Sequence, residues 1–237
     1  MSEPSEQTPA SVQPRGPAPA RQAGLGRYAK DWMSDEQATR YVVSRRPDRY
    51  KHYDMEQKLV GRWLGLCKPG ATVLDLPCGT GRFSELTHEC GHRLIRADRS
   101  TAMLIQARGH GPNEHVLGNL CCDLASPPFR DAGVDIMILW RIFHHLRSWD
   151  DRRVVLQQAA RAAGKYLIMS YYDRTCLTYW SQRLIQSTFG TRPKLGGAIR
   201  TCELLDLARE IGLEPVEVRH YRRFISLNSA VCFRTRH

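Results

Sequence analysis

The stretch Val73-Leu74-Asp75-Leu76-Pro77-Cys78-Gly79-Thr80-Gly81-Arg82-Phe83 constrains this chain more than any other. A short apolar run ends on a carboxylate, the chain turns on two glycines, and a helical pattern begins. Glycines at such a turn let the backbone come close to a ligand, and the start of a helix offers N–H groups without intrahelical partners. Around this turn the hydrophobic period keeps switching. Apolar runs at Thr72–Leu76, Leu94–Ala97, 115–118, Val134–Trp140 and Lys165–Ser170 alternate with helical patterns at Arg82–Cys90, at Thr101–Arg108 and around Val154–Ala159. Strands and helices in alternation predict a parallel sheet covered on both faces, a Rossmann-like doubly wound α/β fold. A further helix is predicted over Asp54–Cys67, where Met55, Leu59 and Trp63 recur at i, i+4 and i+8. At the far end, a helix near Cys202–Ile211 precedes two β-rich runs, Glu214–His220 and Phe224–Phe233. Their short separation predicts a C-terminal antiparallel hairpin.

Composition sets the outer bounds. At 237 residues the chain suits one domain with additions, and 42% hydrophobic with 25% charged residues excludes a wholly disordered or fibrous chain. Residues 2–24 hold five prolines and one large aliphatic residue, Val12, so residues 1–26 are expected to be a disordered tail before a domain over 27–237. Neither a membrane-span-length apolar run nor a signal-peptide core is present, so a soluble cytoplasmic protein is expected. Eight cysteines without any C-x-x-C pair suit reduced thiols better than a disulfide framework or a structural zinc site, and no metal is expected.

A second carboxylate, Asp98, closes the next strand 23 positions after Asp75. Carboxylates at that place accept hydrogen bonds from ribose hydroxyls in nucleotide-binding sheets, whose ligands lie at the carboxyl edge of the strands. These features predict an adenosine-type ligand at the switch point, and leave open whether it is a dinucleotide or S-adenosylmethionine.

Four motifs in order narrow the choice. Asp75-Leu-Pro-Cys-Gly79-Thr-Gly81, Asp98, Asp123 and Trp140-Arg-Ile-Phe-His-His-Leu146 resemble the class I S-adenosylmethionine-dependent methyltransferases, over about residues 55–172. The resemblance is strongest to the branch containing the ubiquinone and menaquinone methyltransferases. It implies S-adenosylmethionine as cofactor, with Asp75 and Gly79 at its amino-acid end, Gly81 in the cofactor-binding turn and Asp98 on the ribose. Arg99 and Met103 would lie against the adenine, Asp123 and Leu124 would read its edge, and Trp140 with Arg141 would line the transfer pocket. Pro77 departs from the family's D-x-G-x-G-x-G pattern, stiffening the loop and removing one N–H. His145, and less so His144, is the candidate general base, since imidazole titrates near working pH; the same pair could simply begin the next element.

Two motifs are read as decoys. Ser126-Pro127-Pro128-Phe129 imitates the signature of amino-group methyltransferases but precedes the fourth strand instead of following it. His88-Glu-Cys90-Gly-His92 imitates metal ligands, yet straddles a helix end, where its side chains should diverge. The insertion 171–200 carries Tyr171, Tyr172, Tyr179, Trp180 and Phe189 with five cationic residues against Asp173 alone. With the Tyr- and Arg-rich segment 41–53 it is expected to cover the substrate, and such walls suit an acidic or lipid-linked small molecule. The rival functions are RNA methylation, encouraged by a net charge of +11, and an inactive binding protein that retains the fold. No specific protein partner is expected.

Overall fold

The computed structural model describes residues 52–189 and 197–236. The expected tail 1–26, the segment 41–51, and Arg192 and Lys194 of the insertion lie outside the described residues.

Seven strands form one sheet in the order β3-β2-β1-β4-β5-β7-β6. They are β1 (Thr72–Asp75), β2 (Arg93–Asp98), β3 (Val116–Cys121), β4 (Val134–Leu139), β5 (Ala163–Tyr172), β6 (Leu213–His220) and β7 (Asn228–Thr235). The pairings from β3 through β5 are parallel, and β7 runs antiparallel to both β5 and β6. The helices are α1 (Tyr53–Leu64), α2 (Ser84–Glu89), α3 (Thr101–Arg108), α4 (Trp149–Ala162), α5 (Leu177–Phe189) and α6 (Thr201–Glu210), with a 3-10 turn at Phe143–His145. The chain order reverses at β1, between β2 and β4, and this is the switch point at which a ligand crevice opens.

Successive strand residues point to opposite faces, and both faces are buried. Leu74, Met137, Leu139, Leu167, Met169, Val231 and Phe233 form one core, with Val155 and Leu156 of α4 and Leu204 of α6. Val73, Ile136, Ile138, Ile168 and Cys232 form the other, beneath Val60, Trp63 and Leu64 of α1. Burial on both faces is why these strands read as continuous apolar runs and not as alternation.

Element ends differ from expectation where local cues were weak. β3 extends to Cys121, three residues past the expected end, because pairing with β2 holds Gly118, Asn119 and Cys121 in register despite their low strand propensity. In the hairpin, Phe224 falls in the turn and β7 begins only at Asn228. α4 passes directly into β5 at Ala163, with no loop between them. The Pro127–Phe129 decoy loop is fastened by Arg161 of α4, whose guanidinium donates to the carbonyls of Pro127 and Phe129. His88 turns toward Glu114 and His92 toward the Leu64 carbonyl, so the metal-like pair does diverge. No helix among the described residues is long and apolar enough to cross a membrane.

Candidate functional site

The glycine turn is held from both sides. Leu76 N–H donates to Ile138 O of β4 at 3.1 Å, Cys78 N–H to Ala97 O of β2 at 2.8 Å, and Gly79 N–H to Asp98 Oδ2 at 2.9 Å. Gly79 and Gly81 have φ of 54° and 79°, conformations that side chains with a Cβ rarely adopt. A Cβ on Gly79 would meet nothing within 4 Å, so that face is open to a ligand. At Gly81 a Cβ would press on Ala107 of α3 at 3.2 Å.

Over this turn lies a cavity lined by Asp75, Gly79, Asp98, Arg99, Met103, Asp123, Leu124, Trp140 and His145, together with Pro77, Arg82 and Arg141. Ten of the residues expected at the site from the sequence thus come together, Arg141 among them. Gly81 does not line the cavity; its lack of a side chain serves the close packing of the turn on α3 instead.

Asp75 is 1% exposed and neither of its carboxylate oxygens has a hydrogen-bond partner. Burial, and then the charge of Asp98, push its carboxyl well above the usual range, against the opposing pull of Arg96 and Arg82. Asp98 is raised by burial but accepts N–H bonds from Gly79 and from Ser100 (2.9 Å each), so it also ties the glycine turn to the start of α3. Ser100 caps α3 by accepting from Met103 N–H, which fixes Met103 at the cavity wall. Asp123 accepts from Ala125 N–H at 2.8 Å and faces Arg99 Nη1 at 3.5 Å. Trp140 is 4% exposed, stands edge-on to Phe83 at 5.4 Å, and its indole N–H has no partner.

The 3-10 turn sorts the two histidines. His144 stacks on Tyr172 with ring centroids 3.9 Å apart, while His145 faces the cavity. Burial, then the charges of Arg141 and Arg147, lower the His145 pKa and so favour the neutral ring.

Sequence reasoning missed the network at the cavity's other end. Glu56 of α1 is buried and pairs with Arg82 Nη1 at 2.5 Å and Arg141 Nη1 at 3.6 Å, while Tyr221 donates to it at 3.1 Å. Arg141 sits at φ 58°, its N–H donating to Ser170 Oγ at 2.7 Å. A legible signal existed: Glu56 shares a helix face with Val60, Trp63 and Leu64, all buried, and an acid on an apolar stripe must find partners. Arg96 was also missed. Fully buried in β2, it donates to Ser84 Oγ, Asn113 Oδ1 and the His110 carbonyl, roofing α2 with the 110–113 loop.

The expected cover over 171–200 is described only in part, since residues 190–196 lie outside the described residues. No described residue of 171–200 lines the cavity, and at Gly197 an added Cβ would collide with the His144 carbonyl.

Residues 74–166 match the methyltransferase domain family. Over 83 residues the chain is 36% identical to malonyl-[acyl-carrier protein] O-methyltransferase of Serratia marcescens, covering 35% of this chain and 31% of that protein. It is 30% identical over 94 residues to probable tRNA methyltransferase 9B of Mus musculus, covering 40% of this chain and 20% of that one. The chain therefore spans a third or less of these two relatives. Among solved structures it resembles magnesium protoporphyrin IX methyltransferase from Synechocystis with bound S-adenosylhomocysteine, with TM-score 0.63, 18% identity and coverage of 78% and 83% of the two chains. A methyltransferase from Aquifex aeolicus gives TM-score 0.61 at 18% identity, over 86% and 99%. The match to the methyltransferase domain family thus covers residues 74–166, and these solved structures share the chain's Rossmann-like fold.

Proposed function

We propose that the protein transfers a methyl group from S-adenosylmethionine to a small acidic or lipid-linked acceptor. The observation that carries this reading is Asp75: a buried carboxylate with no partner, at the end of β1, beside the open face of Gly79. A cationic amine placed there removes an unfavourable burial, so the residues present fit the amino-acid end of the cofactor. Asp98, one strand over, has acceptor capacity left for ribose hydroxyls, and Met103 and Leu124 offer apolar cover for a base. When bound, the cofactor supplies an electrophilic methyl on a sulfonium, already a good leaving group.

The chain's own task is then alignment and proton removal. Trp140 and Ile142 wall the space beyond the turn. His145, its neutral form favoured by its surroundings, accepts a proton if the acceptor atom carries one. Arg141 and Arg82 both pair with Glu56 and both line the cavity, where a guanidinium can meet a carboxylate or phosphate on the acceptor. The malonyl group acted on by the Serratia marcescens relative is of that acidic, carrier-linked class.

Calorimetric titration with S-adenosylmethionine and S-adenosylhomocysteine, with NADH as control, tests the reading. Micromolar binding of the sulfur ligands alone is expected, and folded protein that binds neither would overturn it. Similarity to the Mus musculus tRNA methyltransferase and the net charge of +11 favour RNA as a second class of acceptor. Tight RNA binding that weakens steeply with salt would support that class over the first.

A further inference from the structure

We propose that α5 and the turn between β6 and β7 form one surface that docks the protein onto an anionic lipid bilayer. A surface helix ordinarily turns its apolar stripe to the core. In α5, Leu177, Trp180 and Leu184 recur at i, i+3 and i+7, yet they are 67%, 60% and 69% exposed. Thr178, Tyr179 and Gln182, on the opposite side, are half-buried. Among the described residues, the stripe points away from the sheet and its core.

The neighbouring turn repeats the pattern. Phe224 is 66% exposed at φ 65°, a conformation that is an outlier for a bulky residue, and Ile225 beside it is 50% exposed. Such strain at an exposed aromatic, with the Arg223 guanidinium over its ring at 5.0 Å, marks a segment kept for contact. Helix and turn are fastened together: Leu177 N–H donates to Phe224 O at 2.7 Å and Thr178 N–H to Ile225 O at 3.2 Å. The two apolar sets therefore move as one patch, of a kind that monomeric soluble proteins seldom leave uncovered.

Charge identifies the occupant. Neither 174–189 nor 221–227 contains an acidic residue, while Arg183, Arg222 and Arg223 are exposed at the border of the patch. Apolar and aromatic side chains edged by cations match the boundary between acyl chains and anionic headgroups. A second copy is disfavoured, because an isologous contact would set these arginines against their own counterparts with no acid between. The inference goes beyond the methyl-transfer reading and stands independently of it.

Flotation of the full chain with vesicles tests it. Binding is expected to vesicles of phosphatidylcholine containing phosphatidylglycerol, weaker to phosphatidylcholine alone, and reduced by salt. The double variants Trp180→Ser with Leu184→Ser, and Arg222→Gln with Arg223→Gln, should each lower vesicle affinity about tenfold or more. Their melting temperature and S-adenosylhomocysteine affinity should not change, since these side chains are exposed and away from the cavity. Wild-type protein that fails to float, or variants that float equally well, would overturn the proposal. So would a dimer, seen by sedimentation velocity, that these substitutions dissolve while vesicles go unbound. Flotation without S-adenosylhomocysteine binding would sink the methyl-transfer reading alone.

Discussion

Asp75 is costly to the folded chain, and that cost is the source of its use. Its carboxyl is raised in the folded state, so between the ordinary carboxylate pKa and the raised value the folded chain holds a proton that the unfolded chain has lost. Stability of the ligand-free protein therefore falls as pH rises through that window. Asp75→Asn should flatten the slope and raise the melting temperature at pH 7 by about 2–4 °C, the shift expected of about 1 kcal/mol in a chain of this size. The same change should weaken S-adenosylhomocysteine binding at least about tenfold through loss of a charge-assisted bond. Scanning calorimetry across pH and isothermal titration check the two halves. Asp98→Ala differs, because Asp98 also holds Gly79 and Ser100. It should weaken ligand binding by about 1.5–3 kcal/mol and lower the melting temperature as well. Asp75 and Asp98 were legible because each ends an apolar run beside a turn. Arg141 was recognised as pocket-lining, but its pairing with Glu56 joins elements 85 positions apart in sequence, which local pattern cannot reveal.

Among the elements, two glycines carry packing that no ligand argument requires. A Cβ at Gly197 would lie 1.6 Å from the His144 carbonyl oxygen, so Gly197→Ala must displace the 3-10 turn that presents His145. A loss of about 1–3 kcal/mol in stability is expected, measurable by chemical denaturation, together with weaker binding at the cavity. Gly81→Ala should cost a similar amount, both through its φ of 79° and by pushing α3 and Met103 outward. The alternation of strands and helices was readable because both sheet faces are buried, which makes each strand a continuous apolar run. The start of β5 was not: a helix running straight into a strand leaves no turn residues to mark the junction. The outward stripe of α5 was equally hidden, since its periodicity is that of an ordinary core-facing helix and only the tertiary arrangement shows which way it faces.

For the whole molecule, ligand binding should appear as stability. At about one hundred times its dissociation constant, S-adenosylhomocysteine should add about 2.7 kcal/mol, or about 5–10 °C in melting temperature, and NADH should add nothing. The sequence by itself determined the sheet's sidedness, the glycine turn at its switch point and ten of the residues around one cavity. It could do so because these depend on hydrophobic period and on turn chemistry within a few residues. Only the tertiary structure decided that Glu56 gathers Arg82 and Arg141, that His145 and not His144 meets the cavity, and that the apolar face of α5 looks outward. Those outcomes depend on how separate elements are rotated and stacked against one another. That rotation is set by the sum of many long-range packing contacts, and no single stretch of the chain encodes it.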